Sequence, residues 1–463
     1  MSNQTKVVTR QLFGTDGIRG IAGEYPLDRA TLLAIGRALG SRLARHVEKP
    51  RFLLGQDTRE SSQWIAESLA EGLSGAGVEF TSAGVITTPG VAYLVRQLGY
   101  DVGIVISASH NPWRDNGIKL FGRNGMKLAD AIEHEIEQEI FAHLEELAGS
   151  TPQHDFSASV LPGEESLRQN YSNWLGTNVD DAPLRGLRVL ADCAHGAATA
   201  IAPGLFGSVG LHGSFVHVAP DGRNINNGCG ALHPEKLGEL MKQNAGRYDL
   251  GVTFDGDADR ALFCDANGRV IDGDAVLYVA ALDMKQRGLL RGDTVVATVM
   301  SNLGLEKALE RQGIRLLRAN VGDKYVLEQM LASGATLGGE QSGHILFLDG
   351  ESTTGDGILT ALRIFDIVAR SGRTIDELLA SFKVYPQVLK NIHVREKTPF
   401  AKVPEIAAAI AEAERLLDGN GRALVRYSGT EKLARVMIEA EEAELTSRCA
   451  DSIASAIQKN LGV

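Results

Sequence analysis

Three stretches of the chain share one pattern: a short apolar run, a small polar loop, then apolar positions at helical spacing. They are RFLLGQDTRESS (Arg51 to Ser62), LRVLADCAHGAA (Leu187 to Ala198) and DTVVATVMSNLG (Asp293 to Gly304). Each reads as strand, loop and helix, the unit of a sheet covered by helices. Their recurrence predicts three similar α/β domains in tandem. LEELAGSTPQHDFSASVLPGEES (Leu144 to Ser166) is a polar, Pro/Gly/Ser-rich break after a charged helix and places the first boundary. The second follows FDGDADRALFCDANGR, where a strand gives way to a hairpin-like Asn-Gly turn. The third lies near Phe382 to Phe400. Beyond it, a helix (Pro404 to Asp418), a strand running into RYSGTEKLARVMIEAE and a last helix predict a smaller α+β domain. The expected domains are therefore 1–160, 161–264, 265–380 and 381–463.

Composition narrows the function classes. The 463 residues exceed what one core serves, and 44% hydrophobic with 23% charged residues is an ordinary globular balance. A net charge of −11 argues against broad binding to nucleic acid or an anionic membrane, though a few local cations suffice for a small anion. The four cysteines, Cys193, Cys229, Cys264 and Cys449, are scattered without a CxxC pair, so neither a zinc site nor a disulfide framework is expected. No apolar h-region opens the chain and no run of about 18 apolar residues occurs, so a cytoplasmic protein is expected.

Several polar loops carry candidate chemistry. In GVTFDGDADRALF, Asp255, Asp257 and Asp259 alternate after a strand. An extended segment would put all three carboxylates on one side, where they repel unless a cation neutralises them. An all-oxygen set suits Mg²⁺ or Ca²⁺, and the spacing is not that of an EF-hand. The bland alternative is a solvated acidic turn. Arg260, next in line, can orient a carboxylate or meet a phosphate. In VISASHNPWRDNGIK, Ser109 follows the expected strand Val102 to Ile106 and precedes Pro112. It is expected exposed on a turn. His110 is adjacent, and in an extended segment would point the other way, so it serves poorly as a base and better to order the loop. No Gly-x-Ser-x-Gly elbow is present, which argues against a hydrolase triad. Lys119 is the better candidate for charge stabilisation or proton transfer. RYSGT (Arg426 to Thr430) combines a guanidinium, hydroxyls and glycine, a set suited to one phosphate group, and GTDGIRG supplies Arg19 in a similar setting. In GGEQSGH, Glu340, Ser342 and His344 alternate, and an extended loop would aim them at one space, as sugar hydroxyls require.

Taken together and in order, FGTDGIRG, SASHNP with NGIK, DGDADR, GEQSGH and RYSGTE resemble the α-D-phosphohexomutase superfamily, most closely its bacterial phosphoglucosamine mutases. FLDGESTTGDGILTALR resembles that branch rather than the phosphomannose or phosphoglucose branches. The resemblance covers nearly the whole chain. It implies four domains, three with mixed sheets between helices, around a central cleft. It implies that Ser109 carries a phosphoryl group and that Asp255, Asp257 and Asp259 hold one Mg²⁺ per site, completed by a phosphoserine oxygen. Glu340, Ser342 and His344 would grip sugar hydroxyls. Arg426, Ser428, Gly429 and Thr430 would grip the non-reacting phosphate, and Arg19 and Lys119 would lie near the transferred group. The implied reaction interconverts glucosamine 6-phosphate and glucosamine 1-phosphate through glucosamine 1,6-bisphosphate, feeding UDP-N-acetylglucosamine synthesis. The implied enzyme is a monomer or homodimer. Two departures stand out: Lys432 replaces the usual proline after SGTE, and Lys324 in VGDKYV replaces a common arginine. Competing readings are a mannose or glucose phosphate mutase, a Ser109- and Mg²⁺-dependent hydrolase, and a non-catalytic sugar-phosphate sensor.

Overall fold

The computed structural model describes residues 11–14, 16–148, 161–179, 184, 186–428 and 431–463. The first sheet holds β1 (Phe13–Gly14), β2 (Gly17–Ile21), β3 (Arg51–Gln56), β4 (Glu79–Val85), β5 (Val102–Ile106) and β6 (Asp115–Gly122), in the order β1-β2-β6-β5-β3-β4. β3 pairs in parallel with β4 and β5, whereas β6 runs antiparallel to β5 and β2. The second sheet holds β7 (Arg188–Asp192), β8 (His212–Val216), β9 (Leu250–Phe254), β10 (Ala261–Asp265) and β11 (Val270–Ile271), ordered β11-β10-β9-β7-β8. The Asn267–Gly268 turn joins β10 to β11 as an antiparallel hairpin, so this sheet runs on to Ile271. The third sheet holds β12 (Thr294–Thr298), β13 (Arg315–Ala319), β14 (Leu337–Gly339) and β15 (Ile345–Phe347), ordered β13-β12-β14-β15. The fourth holds β16 (Gln387–His393), β17 (Gly421–Tyr427) and β18 (Leu433–Ala440), all antiparallel. The expected three mixed α/β sheets and smaller α+β domain are all present.

Two compact units emerge. Residues up to Val299 with Leu317–Leu378 form one; Met300–Leu316 with Leu379–Val463 form the other. In the second unit, Asn302 anchors the C-terminal chain: its Nδ2 donates to the Tyr385 carbonyl at 3.0 Å and its Oδ1 accepts from the Tyr385 N–H at 2.9 Å. Val436 and Ile438 of β18 pack there against Ile453 and Ile457 of the last helix, all fully buried.

In the first unit the central strands read as they do because both faces are covered. Every residue of β5 and of β9 is buried. Phe52, Leu54, Ile104 and Ile106 share a core with Ile35 and Leu69 of the flanking helices Arg29–Ala44 and Glu60–Gly75. Each such side chain contributes about 1.5–3 kcal/mol on leaving water, which offsets the cost of ordering the loops that follow. Those loops, Ser107 onward and Asp255 onward, leave the C-terminal ends of β5 and β9. That is where α/β sheets present ligand-binding residues. No helix among the described residues is long and apolar enough to cross a membrane.

Candidate active site

Ser109 is the hub. It adopts a left-handed backbone, φ 53°, and its side chain is buried, only 1% exposed. The expectation of an exposed serine is corrected here: the DGDADR loop covers it. Its Oγ donates to Asp255 Oδ2 at 2.5 Å and lies 3.2 Å from His110 Nδ1. That second contact overturns the idea that adjacent residues must diverge, because the left-handed turn at Ser109 is not extended. Two side chains hold the Ser109 carbonyl, Arg59 Nη2 and Asn226 Nδ2, each at 2.9 Å. Gly256 lets the loops meet: a Cβ there would sit 2.5 Å from the Ser109 carbonyl oxygen. Any other residue would push the serine away.

Behind Ser109 stands a buried pair that the sequence reading missed. Arg59 Nε donates to Asp57 Oδ2 at 2.8 Å, and Ser62 and Ser107 hydroxyls donate to the same carboxylate. Arg59 also caps the Pro112 and Asn111 carbonyls at 2.5 and 2.9 Å. A five-donor planar cation suits this work, since it binds a carboxylate and several carbonyls at once. The signal lies in DTRESS, an acid and a base two apart at a strand end.

The aspartate triplet converges, but on a turn rather than an extended segment: Ala258 is left-handed at φ 55°. The carboxylate oxygens of Asp255, Asp257 and Asp259 can lie within 4.8 Å of one another. Asp257 Oδ2 accepts from Lys119 Nζ at 2.8 Å and from Thr88 Oγ1. Thr88 opens the helix Thr88–Leu98, whose N–H also donates to the Asp257 carbonyl, so the positive helix end supports this acid. Lys119 Nζ further lies 3.4 Å from Asp259 and 3.3 Å from Asp16.

Burial opposes the charge on Lys119, but Asp16, Asp257 and Asp259 outweigh it and hold its proton well above the ordinary lysine range. Burial likewise opposes the charge on Asp257, yet Lys119 and Thr88 keep its carboxyl at about 2. Asp255 goes the other way: burial, then Asp259 and Asp257, push it well above the usual range. Asp255 therefore holds a charge poorly beside Asp257 and Asp259 unless a further cation joins the triplet. Asp257 Oδ1 and Asp259 Oδ1 are buried without a hydrogen-bond partner. Orphaned, hard oxygen donors of this kind fit a divalent cation of the Mg²⁺ class.

Beside the triplet opens a cavity of about 450 Å³, lined by Arg19, His110, Arg260, Lys127, Glu340 and His344 among others. A volume of this order accommodates a small polar ligand. Arg19 Nη1 reaches the Ala108 carbonyl and Asn111 Oδ1, each at 3.3 Å. Asp16, just before β2 in the same GTDGIRG motif, pairs with Arg19, Lys119 and Lys127. Lys127 in turn pairs with Asp323 at 2.5 Å, and His344 Nε2 lies 3.9 Å from Asp323. Arg260 lends its N–H to Asp255 Oδ1 at 3.2 Å. Glu340, Ser342 and His344 sit on a tight turn between β14 and β15, not an extended loop: the Gly343 N–H donates to the Glu340 carbonyl at 3.0 Å. Ser342 Oγ donates to Glu340 Oε2 at 3.0 Å.

The remaining expected residues belong to the second unit. Arg426 lies on β17 opposite Arg435 of β18. The Ser428 N–H donates to the Leu433 carbonyl at 2.8 Å, and Lys397 Nζ donates to the Ser428 carbonyl at 2.7 Å. Gly429 and Thr430 lie outside the described residues. Of the two departures, Lys324 pairs with Asp130, and the Lys432 carbonyl accepts from the Val394 N–H at 2.9 Å.

Comparison with known proteins follows the same order along the chain. It matches the family models described as phosphoglucomutase/phosphomannomutase alpha/beta/alpha domain I over residues 10–146, domain II over 169–268, domain III over 272–385 and the C-terminal domain over 389–456. A phosphoglucosamine mutase of Koribacter versatilis is 60% identical over 454 residues, 98% of either chain. Among solved structures, a phosphoglucomutase/phosphomannomutase family protein of Burkholderia thailandensis superposes with a TM-score of 0.76 at 23% identity, covering 97% of this chain and 99% of that one. The N-acetylphosphoglucosamine mutase of Aspergillus fumigatus, in complex with GlcNAc-6P and magnesium, gives 0.62 at 18% identity, covering 97% and 96%. Four domain matches in sequence, and high identity to a curated relative from end to end, settle the assignment: this chain belongs to the phosphoglucosamine mutase family, phosphohexomutase enzymes of the isomerase class.

Proposed function

We propose that Ser109, as phosphoserine, exchanges its phosphoryl group with glucosamine 6-phosphate, by way of glucosamine 1,6-bisphosphate, to give glucosamine 1-phosphate. One observation carries this: the Ser109 Oγ is buried against the aspartate triplet, 2.5 Å from Asp255. A buried serine flanked by three crowded carboxylates gains by meeting a cation and a phosphoryl group together. Asp255, Asp257 and Asp259 would hold one Mg²⁺, which supplies charge neutralisation to the transferring group. Support comes from the relative captured with GlcNAc-6P and magnesium.

The chain's own residues then divide the work. Attack by the sugar O1 forms an O1–P bond, breaks the P–Oγ bond, releases the O1 proton and returns one proton to Ser109 Oγ. The second transfer reverses these steps at O6. Lys119, held protonated, offsets charge near the serine without shifting position. Arg19 and Arg260 add positive charge from the cavity wall, and His110, 3.2 Å from Ser109 Oγ, orients the hydroxyl. Glu340, Ser342 and His344 address the sugar hydroxyls. Arg426, Ser428, Gly429 and Thr430 bind whichever phosphate is not reacting.

The test is a ³¹P NMR time course with Mg²⁺ and a trace of hexose 1,6-bisphosphate. Glucosamine, mannose and glucose 6-phosphates are offered at equal concentration. The expected result is a 1-phosphate signal appearing fastest from glucosamine 6-phosphate. Faster conversion of mannose or glucose phosphate overturns the amino-sugar assignment, and inorganic phosphate alone overturns the mutase.

A further inference from the structure

We propose that His195, His217 and Cys229 form a second metal site, distinct from the aspartate triplet, for one borderline-soft divalent ion of the zinc class. Sequence spacing hides it, since no two of these residues form a local metal motif. The fold assembles it. β7 and β8 are parallel, with Asp192 opposite Val216 at their ends. His195 and His217 therefore emerge side by side, and the His195 N–H donates to the His217 carbonyl at 2.7 Å. Both adopt left-handed backbones, φ 51° and 52°, which turn the rings together at a centroid distance of 5.2 Å. Cys229 is brought in by the following loop, which Asp192 Oδ2 anchors by accepting from the Gly230 N–H at 2.9 Å.

One ring nitrogen of each histidine and the Cys229 sulfur lie within 4.8 Å of one another. Bonds of about 2.0–2.3 Å in a tetrahedral site put neighbouring ligand atoms roughly 3.3–3.7 Å apart, so modest side-chain rotation closes the set. The donors decide the ion: one thiolate and two imidazoles favour zinc-like metals over Mg²⁺, whereas the triplet offers only oxygen. Asp192 Oδ1 lies 2.9 Å from His217 Nδ1. A carboxylate at one ring nitrogen orients the other as ligand. As the metal–sulfur bond forms, the Cys229 proton leaves to solvent. The half-exposed rings give the ion a way in.

The ion would act as a clamp. The loop it ties down contains Asn226, whose N–H donates to the Ala194 carbonyl at 2.9 Å and whose side chain holds the Ser109 carbonyl. Such a site positions the serine's platform and takes no part in the chemistry.

The test titrates the full-length, chelator-stripped protein with Co²⁺ in excess Mg²⁺, which keeps the oxygen site filled. The expected result is one equivalent of tetrahedral cobalt with a thiolate-to-cobalt charge-transfer band. Cys229→Ser should lose the band, while Cys449→Ser in the last helix should keep it. Absence of the band in the unaltered protein, or its survival in Cys229→Ser, overturns the proposal. If Cys229→Ser does not fold, His217→Asn decides the matter, because asparagine tolerates the left-handed backbone. It should bind Co²⁺ more weakly by at least the roughly 10- to 100-fold that loss of an outer-shell partner alone causes, and unchanged affinity overturns the site.

Discussion

The Ser109 centre and the Arg426 loop present charge in opposite ways. Around Ser109 the charges are sealed: Lys119, Asp255 and Asp257 are at most 1% exposed, and each is answered by another charge or a buried hydroxyl. Around Arg426 every residue of β17 is only half-buried. A sealed cation acts at full strength and cannot reorganise, so it belongs with a step in which charge moves. A half-exposed one is screened by water and salt, so it belongs with capture and release. Changes in the first region should therefore fall on turnover, and changes in the second on the substrate requirement.

The largest effect should come from Ser109→Ala. Turnover is expected to fall by about 10³-fold or more, because the proposed exchange passes through the Ser109 Oγ. The unfolding midpoint should hardly move. Turnover near that of the parent enzyme would remove Ser109 from the chemistry. Lys119→Met comes next and tests the sealed charge itself. Deleting one partner of a buried ion pair costs about 3–5 kcal/mol, read from denaturant unfolding in chelator. Added Mg²⁺ should restore part of that loss by compensating the same carboxylates. A loss unaffected by Mg²⁺ would mean that the triplet does not take the ion.

Ser109 and the three aspartates were legible as candidates in the sequence because their motifs are local. Ser109 precedes His-Asn-Pro, and the three aspartates share one loop. The surrounding geometry was not legible, because it depends on single left-handed residues. Ser109 and Ala258 turn where an extended strand end was expected, which buries the serine and bends the triplet. Asp57 and Arg59 were missed for a different reason: their partners lie about fifty residues away along the chain, at Ser107, Ser109 and Pro112. The four-domain plan was legible in the repeated apolar runs, since the strands in those runs, β3, β7 and β12, are buried along nearly their whole length, a local signature of a strand covered on both faces.

Arg59→Lys sharpens the comparison from a missed residue. The charge survives, but the fork that spans Asp57 and three carbonyls does not. Displacing the serine by even a fraction of an ångström should reduce kcat by about 10- to 100-fold with little change in KM. A change in KM alone would place Arg59 among the binding residues. Arg426→Ala should do the reverse, raising KM by about 10- to 100-fold, the worth of a charge-assisted hydrogen bond, with a smaller effect on kcat.

Lys432 yields the smallest effect and the finest test. It stands exposed in the second unit and adds a positive charge next to the RYSGTE motif. An exposed cation contributes about 0–1 kcal/mol, and salt screens most of it. Lys432→Ala should therefore raise KM less than about fivefold, and the difference should vanish as ionic strength rises. Arg426→Ala should keep its defect under the same conditions, because a directional guanidinium–phosphate contact outlasts screening better than a diffuse charge does. Should Lys432→Ala match Arg426→Ala in size and salt resistance, the lysine has become a second direct phosphate ligand. The capture region would then rest on two cations rather than one.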